Sequence, residues 1–185
     1  ILISFGFIAF FLDKQLEGHS LQDLKNSIIT QAQLIESQLV PESLKKENIA
    51  SLESLVNGLS LKTKTRITII DNQGKVLADS QKPLPEIFGM ENHANRPEVK
   101  IALSGLTGNN IRYSATLKIN MLYVALPIMG KEGVAGVLRL ALPTDHVQKI
   151  MSSIRKTIIL NTIFALGLAI VLVYVLIASI TRPLN

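Results

Sequence analysis

TRITIIDNQGKVLADS, residues 65–80, carries the architecture of this chain. Thr65–Asp71 (TRITIID) and Lys75–Ser80 (KVLADS) combine β-branched and apolar residues at period two or in short runs, which predicts two strands. Asp71-Asn72-Gln73-Gly74 between them is a turn composition, with glycine where a positive φ carries no steric cost. An antiparallel hairpin therefore stands near the middle of the chain, and the segments on both sides have a sheet to pack on.

Upstream the pattern is helical. Leu21, Leu24, Ile28, Ala32, Ile35 and Leu39 recur at intervals of three and four, one apolar stripe on a helix running from Asp13 to Val40. Pro41 is expected to end it. A second helix follows, with Ile49, Leu52, Val56 and Leu59 on one face and Gly58 near its end. Downstream, Gln81–Asn95 carries Pro83, Pro85 and Gly89 and reads as irregular. Pro97 suits the first turn of a short helix with Val99, Ala102 and Leu103 inward, stopped by Gly105.

Three more strands follow. In Asn110–Leu117 the apolar Ile111, Tyr113, Ala115 and Leu117 alternate with Arg112, Ser114 and Thr116. In Met121–Met129, Leu122, Val124, Leu126 and Ile128 share a face opposite Tyr123. Gly130-Lys131-Glu132-Gly133 is a tight turn into Ala135–Leu142, where Leu138 and Leu140 flank Arg139. Pro143 and Thr144, the latter as cap, open a last helix. The fold class expected is α+β, a five-stranded antiparallel sheet with a long N-terminal helix.

The 185 residues carry a net charge of +5, no cysteine and no tryptophan. Charged residues are 18% against about 25% in soluble domains, and the mean hydropathy is +0.34. Apolar character is concentrated at the ends. Residues 157–180, TIILNTIFALGLAIVLVYVLIASI, hold no charge. As a helix they reach about 36 Å, enough for a hydrocarbon core of about 30 Å. Residues 1–12, ILISFGFIAFFL, are uncharged but shorter, with no basic region before them and no small-residue cleavage site after them. They read as the outer part of a first membrane helix. Beginning at Ile1 and stopping at Asn185, the sequence is read as a fragment.

All 14 acidic and 18 of the 19 basic residues fall within 13–156, a polar domain between two spans. The expected division is 1–12 first span, 13–156 extracytoplasmic domain, 157–180 second span and 181–185 the start of a cytoplasmic linker, in a multi-pass protein of the cell membrane surrounded by lipid. Arg182 after the second span favours a cytoplasmic C-terminus. Lysines scattered among acids, without a basic aromatic patch, exclude nucleic acid as partner. No cysteine and three distant histidines without H-E-x-x-H argue against a metal site. Ser80 and Ser104 lack nucleophile-elbow context, and Gly105-Leu106-Thr107-Gly108 lacks the lysine of a phosphate loop. No catalytic residue is therefore assigned. Both spans run into the domain without a Gly/Ser-rich linker, which favours transmitting a movement of an ångström or two over mere tethering.

Span, domain and span, followed by Thr181-Arg182-Pro183-Leu184-Asn185, resemble a bacterial transmembrane receptor entering a HAMP linker. The domain resembles extracytoplasmic PAS-like (single Cache) sensors. The runs ITIIDNQGKVLADS, MENHANRPEVKIALSG, IRYSATL, MLYVALPI and GVLRLALP are similar, in order and spacing, to PhoR-type sensor histidine kinases of the phosphate regulon. The resemblance implies a homodimer whose cytoplasmic core, absent here, uses ATP and Mg²⁺ to phosphorylate a histidine and passes the phosphoryl group to a response regulator. His19, His93 and His146 sit in no phosphoacceptor box. The fragment itself is expected to hold no cofactor and no kinase activity. The same sensor and spans would also suit a chemoreceptor, a cyclic-dinucleotide enzyme, or a domain that binds a membrane protein partner and no small molecule.

PAS-like sensors hold ligands between one sheet face and the segment joining the second and third strands. Here the resemblance points to His93 and Arg96 in that segment and to Arg112, Tyr113, Tyr123 and Arg139 on the strands. Guanidinium groups offer a bidentate fork to carboxylate or phosphate, so the expected ligand is a small anion. Each residue also has a plainer reading. Arg112 and Arg139 suit a solvated strand face, Tyr113 a core position, and His93 and Arg96 the start of the short helix. The resemblance does not specify what the domain senses.

Overall fold

The computed structural model describes residues 2–44, 48–114 and 117–181. The chain divides into two compact units, Leu21–Asp145 and, separately, Ile1–Ser20 with His146–Asn185. The elements are α1 (Leu2–Glu36), a 3-10 turn (Pro41–Leu44), α2 (Ile49–Thr63), β1 (Arg66–Asp71), β2 (Val76–Asp79), α3 (Leu84–Ile87), α4 (Pro97–Leu103), β3 (Gly108–Ser114), β4 (Ile119–Gly130), β5 (Gly133–Pro143) and α5 (Asp145–Thr181). The five strands form one antiparallel sheet in the order β2-β1-β5-β4-β3. The α+β class is as the sequence predicts.

Both faces of the sheet are covered. On one, the α1 stripe of Ile28, Ala32, Ile35 and Leu39 and Leu52 and Val56 of α2 meet Ile67, Ile69, Leu122, Val124, Leu126, Ile128, Leu138 and Leu140. Full burial of side chains of this size stabilises by about 1.5–3 kcal/mol each, so this face supplies most of the apolar driving force. The other face is smaller and more polar. Ile70, Val76, Ala125 and Val137 pack under Ile87 of α3 and Val99 and Ala102 of α4, and Met121, Tyr123 and Ala141 form a second patch.

Several boundaries differ from those expected. The first helix stops at Glu36, not Val40. A proline disfavours helical backbone at the residue before it, so the chain leaves α1 through turns from Gln38 N to Ile35 O and Leu39 N to Glu36 O, and Pro41 opens the 3-10 turn. Gly58 lies inside α2, which ends where Lys64 adopts a left-handed φ of 55°. The irregular segment contains α3, seated on Pro83. Thr144, read as a cap, donates both its N–H and its hydroxyl to Asn120 O, tying the end of β5 to β4.

The largest correction concerns β3. The plainer reading puts Tyr113 in the core and Arg112 on a solvated face, yet Tyr113 is 59% exposed and Ile111 is exposed too, while Ser114 is buried and Arg112 half-buried. Register is the reason. Arg112 lies opposite Met121 and Asn110 opposite Tyr123, so these polar residues share the face covered by α4. Ile111 and Tyr113 go to the other side, at the edge of the sheet.

Among the described residues one helix, Lys156–Ser179, is long and apolar enough to cross a membrane, and none of it is buried. It lies within α5, which continues from Asp145 without a break. The side chains of residues 1–12 and the linker residues 182–185 lie outside the described ones.

Candidate functional site

The face beneath α4 carries a row of polar side chains through the middle of the sheet. Strand pairing sets Asp79 opposite Thr68, Thr68 opposite Arg139, and Arg139 opposite Ala125. The next row holds Arg66, Ala141 and Tyr123. Because side chains alternate along a strand, each polar residue here has its apolar neighbours on the opposite, core face. Such burial demands partners, since an unpaired buried charge costs far more than any packing returns.

Asp79 has a full set. Arg66 Nε donates to both of its carboxylate oxygens at 3.1 Å, and Arg66 Nη2 lies 3.0 Å from Oδ2. Thr68 Oγ1 donates to Oδ2 at 2.8 Å and the Gln81 N–H to Oδ1 at 2.9 Å. Thr68 also accepts from Arg139 Nη2 at 3.2 Å, joining this half of the cluster to the next.

The second half centres on Glu98, which is fully buried. Arg96 in extended backbone and Pro97 at the first position start α4, so Glu98 falls in its first turn and points at the sheet. The helix comes this close because β3 begins with glycine: a Cβ on Gly108 would stand 2.1 Å from Glu98 O. One carboxylate oxygen, Oε1, serves two arginines, Arg112 Nη2 at 3.5 Å and Arg139 Nη1 at 3.6 Å. Glu98 Oε2, Arg112 Nε and Arg139 Nε are buried without a hydrogen-bond partner. Tyr123 lies beneath both guanidinium groups, its ring centroid 4.1 Å from Arg112 Cζ and 5.4 Å from Arg139 Cζ. Both distances fall within cation–π range.

Burial holds Arg139 below its ordinary value, at about 10, while Glu98 pulls the other way. It is charged at neutral pH. His93 is driven down to about 4, first by burial and then by the positive charge of Arg139. Its ring Nδ1 lies 2.8 Å from Glu91 O. A carbonyl only accepts, so the neutral ring donates from Nδ1 and leaves Nε2 as an acceptor. The cluster thus sets three guanidinium charges, Arg66, Arg112 and Arg139, against the two carboxylates of Asp79 and Glu98. No group of three or more metal-ligating side chains occurs among the described residues.

Of the residues singled out from sequence, Arg112, Tyr123 and Arg139 come together, and His93 lies close enough to feel both arginines. Arg96 pairs with the exposed Glu91 at 3.0 Å, at the rim. Tyr113 does not join them, because the β3 register sends it to the opposite face. Sequence reasoning passed over Glu98, Asp79, Thr68 and Arg66. The available signal was Arg66 and Thr68 alternating with Ile67 and Ile69: polar residues at period two in a strand that the sheet covers on both faces.

The sheet order, the long N-terminal helix and the segment crossing one face define an α+β fold that solved structures share. No protein-family model matches the chain, and no curated protein does. Among solved structures, it is similar to the ligand-binding domain of the Campylobacter jejuni chemoreceptor Tlp3 in complex with 4-methylisoleucine, with 18% identity, 80% of this chain and 62% of that one covered, and a TM-score of 0.62. It is equally similar to the sensor domain of the Vibrio cholerae histidine kinase DctB, with 16% identity, 74% and 55% covered, and a TM-score of 0.62. A domain of a putative sensory box/GGDEF family protein from Vibrio parahaemolyticus follows, with 15% identity, 81% and 64% covered, and a TM-score of 0.56. The chain therefore spans less than two thirds of the length of these neighbours, and what they share with it is the fold.

Proposed function

We propose that this chain is the sensing and signal-conducting part of a membrane receptor, with its sheet domain outside the cytoplasm and its input site on the sheet face under α4. The observation that carries this reading is the junction of β5 and α5. One residue, Thr144, separates them, and α5 is a single helix from Asp145 through the apolar stretch to Thr181. Neither glycine nor proline occurs between Asp145 and Lys156.

The output we propose is that of a homodimeric sensor histidine kinase of the phosphate-regulon type, using ATP and Mg²⁺ in a cytoplasmic core and addressing a response regulator. Residues 1–12 and 181–185 would supply a first span and the head of a HAMP linker. The sequence runs of the hairpin and of β3, β4 and β5 support the kinase reading. A chemoreceptor output is the second reading, favoured by the Tlp3 domains, which superpose as well as the kinase domain does. The test uses membrane vesicles containing the full-length protein, incubated with γ-labelled ATP and Mg²⁺. Acid-labile, base-stable label on the receptor, passed on to a response regulator, is the expected result. No label sinks the kinase and leaves the chemoreceptor.

A further inference from the structure

Within one sheet face the two buried carboxylates are held very differently. Asp79 receives every donor around it at 2.8–3.1 Å, as a permanent structural ion pair should. Glu98 shares one oxygen between two arginines at 3.5 and 3.6 Å, well beyond the roughly 2.7–2.9 Å of a charge-assisted bond. Its other oxygen and the Nε of each arginine are left without partners in a fully buried setting. Arg112 and Arg139 both stand over the Tyr123 ring, their Cζ atoms 4.1 and 5.4 Å from its centroid.

We propose that Arg112, Arg139 and Tyr123 form a carboxylate-binding site kept shut by Glu98, a tethered carboxylate that an external one displaces. A free carboxylate has a freedom Glu98 lacks, because it approaches without a backbone and can present both oxygens to both guanidinium groups, satisfying Nε as well as Nη atoms. The surplus guanidinium in the cluster favours an added anion while Glu98 swings outward. The helix that carries Glu98 has seven residues, of which Glu98, Val99 and Ala102 are buried. A cavity of about 200 Å³ lined by Ser60, Lys64, Arg66, Gln81, Met121 and Ala141 lies outside this cradle, and its Met121 and Ala141 pack with Tyr123. The ligand class is a small mono- or dicarboxylate, and displacement of Glu98 is the event that frees α4 from the sheet.

The proposal rests on this cluster being the input site. ATP labelling reads the output and the following test reads the cradle, so either can fail alone. The full chain in detergent micelles is melted with increasing sodium acetate or propionate against sodium chloride at equal ionic strength. Three variants accompany the wild type: Glu98→Ala, Glu98→Gln, and Glu98→Ala combined with Arg112→Ala. Acetate matches the group that Glu98→Ala removes. That variant is expected to gain several degrees, saturably, or to regain its folded signal if it is unfolded without carboxylate. The wild type should gain less than Glu98→Ala at any given carboxylate concentration, because Glu98 must first be displaced, and a wild type that stays flat throughout would overturn displacement; the glutamine variant, with its space filled, and the double variant should not respond. Equal gains in wild type and Glu98→Ala would mean that nothing shuts the cradle. A Glu98→Ala chain that neither carboxylate stabilises or refolds, or a double variant rescued as well as the single one, would make Glu98 a fixed structural residue and overturn the proposal.

Discussion

His93 is neutral in the folded chain because burial and the nearby guanidinium charges of Arg139, Arg96 and Arg112 oppose a further cation there. With its native pKa near 4 and an unfolded value of 6.5, the unfolded state binds the proton first as pH falls. The stability this residue contributes is therefore complete above about pH 6.5 and drains away from there toward pH 4. Between pH 7 and 5 the loss is about 2 kcal/mol. A His93→Gln chain should show a distinctly flatter fall in Tm over that interval, and equal slopes would disprove the account. Gly108 makes a different kind of prediction. Its absent Cβ is what admits the backbone of Glu98, so Gly108→Ala should cost at least about 1–3 kcal/mol in urea unfolding by forcing α4 outward. At this scale the sequence was informative about residue type and silent about partners. It marked Arg112, Arg139 and Tyr123, but a glutamate in the first turn of a short helix looks solvated until the sheet beneath it is known.

The elements show why burial, not charge, ranks the ion pairs. Asp79 ends β2 and ties it to Arg66 and Thr68 of β1 from a fully buried position. Asp79→Ala would leave Arg66 with no carboxylate, which for a buried pair costs about 3–5 kcal/mol. Arg96 holds the exposed Glu91 at the rim, and such pairs contribute about 0–1 kcal/mol. Chemical denaturation of Asp79→Ala and Arg96→Ala should separate them clearly. Comparable losses would contradict the burial argument. The strand β3 gives the matching lesson about legibility. Alternation in Asn110–Leu117 predicted a strand, which the structure has over Gly108–Ser114, with Leu117 in a turn and residues 115–116 outside the described ones, and it split Asn110–Ser114 into two faces. It could not say which face meets the core, because β3 is an edge strand whose polar side is claimed by Glu98 and Tyr123 while its apolar side stays exposed.

For the whole molecule, the continuity of α5 carries the functional reading. If receptor output follows a shift of β5, replacing residues 152–155 with glycine should sever input from output while the melting of the sheet domain stays unchanged. Phosphorylation in vesicles that still responds to input would refute transmission through a rigid helix. The sequence by itself determined the order of the five strands and of the helices other than α3, the antiparallel α+β class, the two-faced β4 and β5, and the apolar stretch of α5. These are properties of local period and composition, which act over a few residues. Only the tertiary structure decided that Asp79, Thr68, Arg139 and Glu98 form one buried network, that β3 turns its arginine inward, and that Tyr113 stands apart. Those outcomes depend on strand register and on the approach of α4 over Gly108, and contacts between residues 11 to 71 positions apart leave no periodic trace in the chain that makes them.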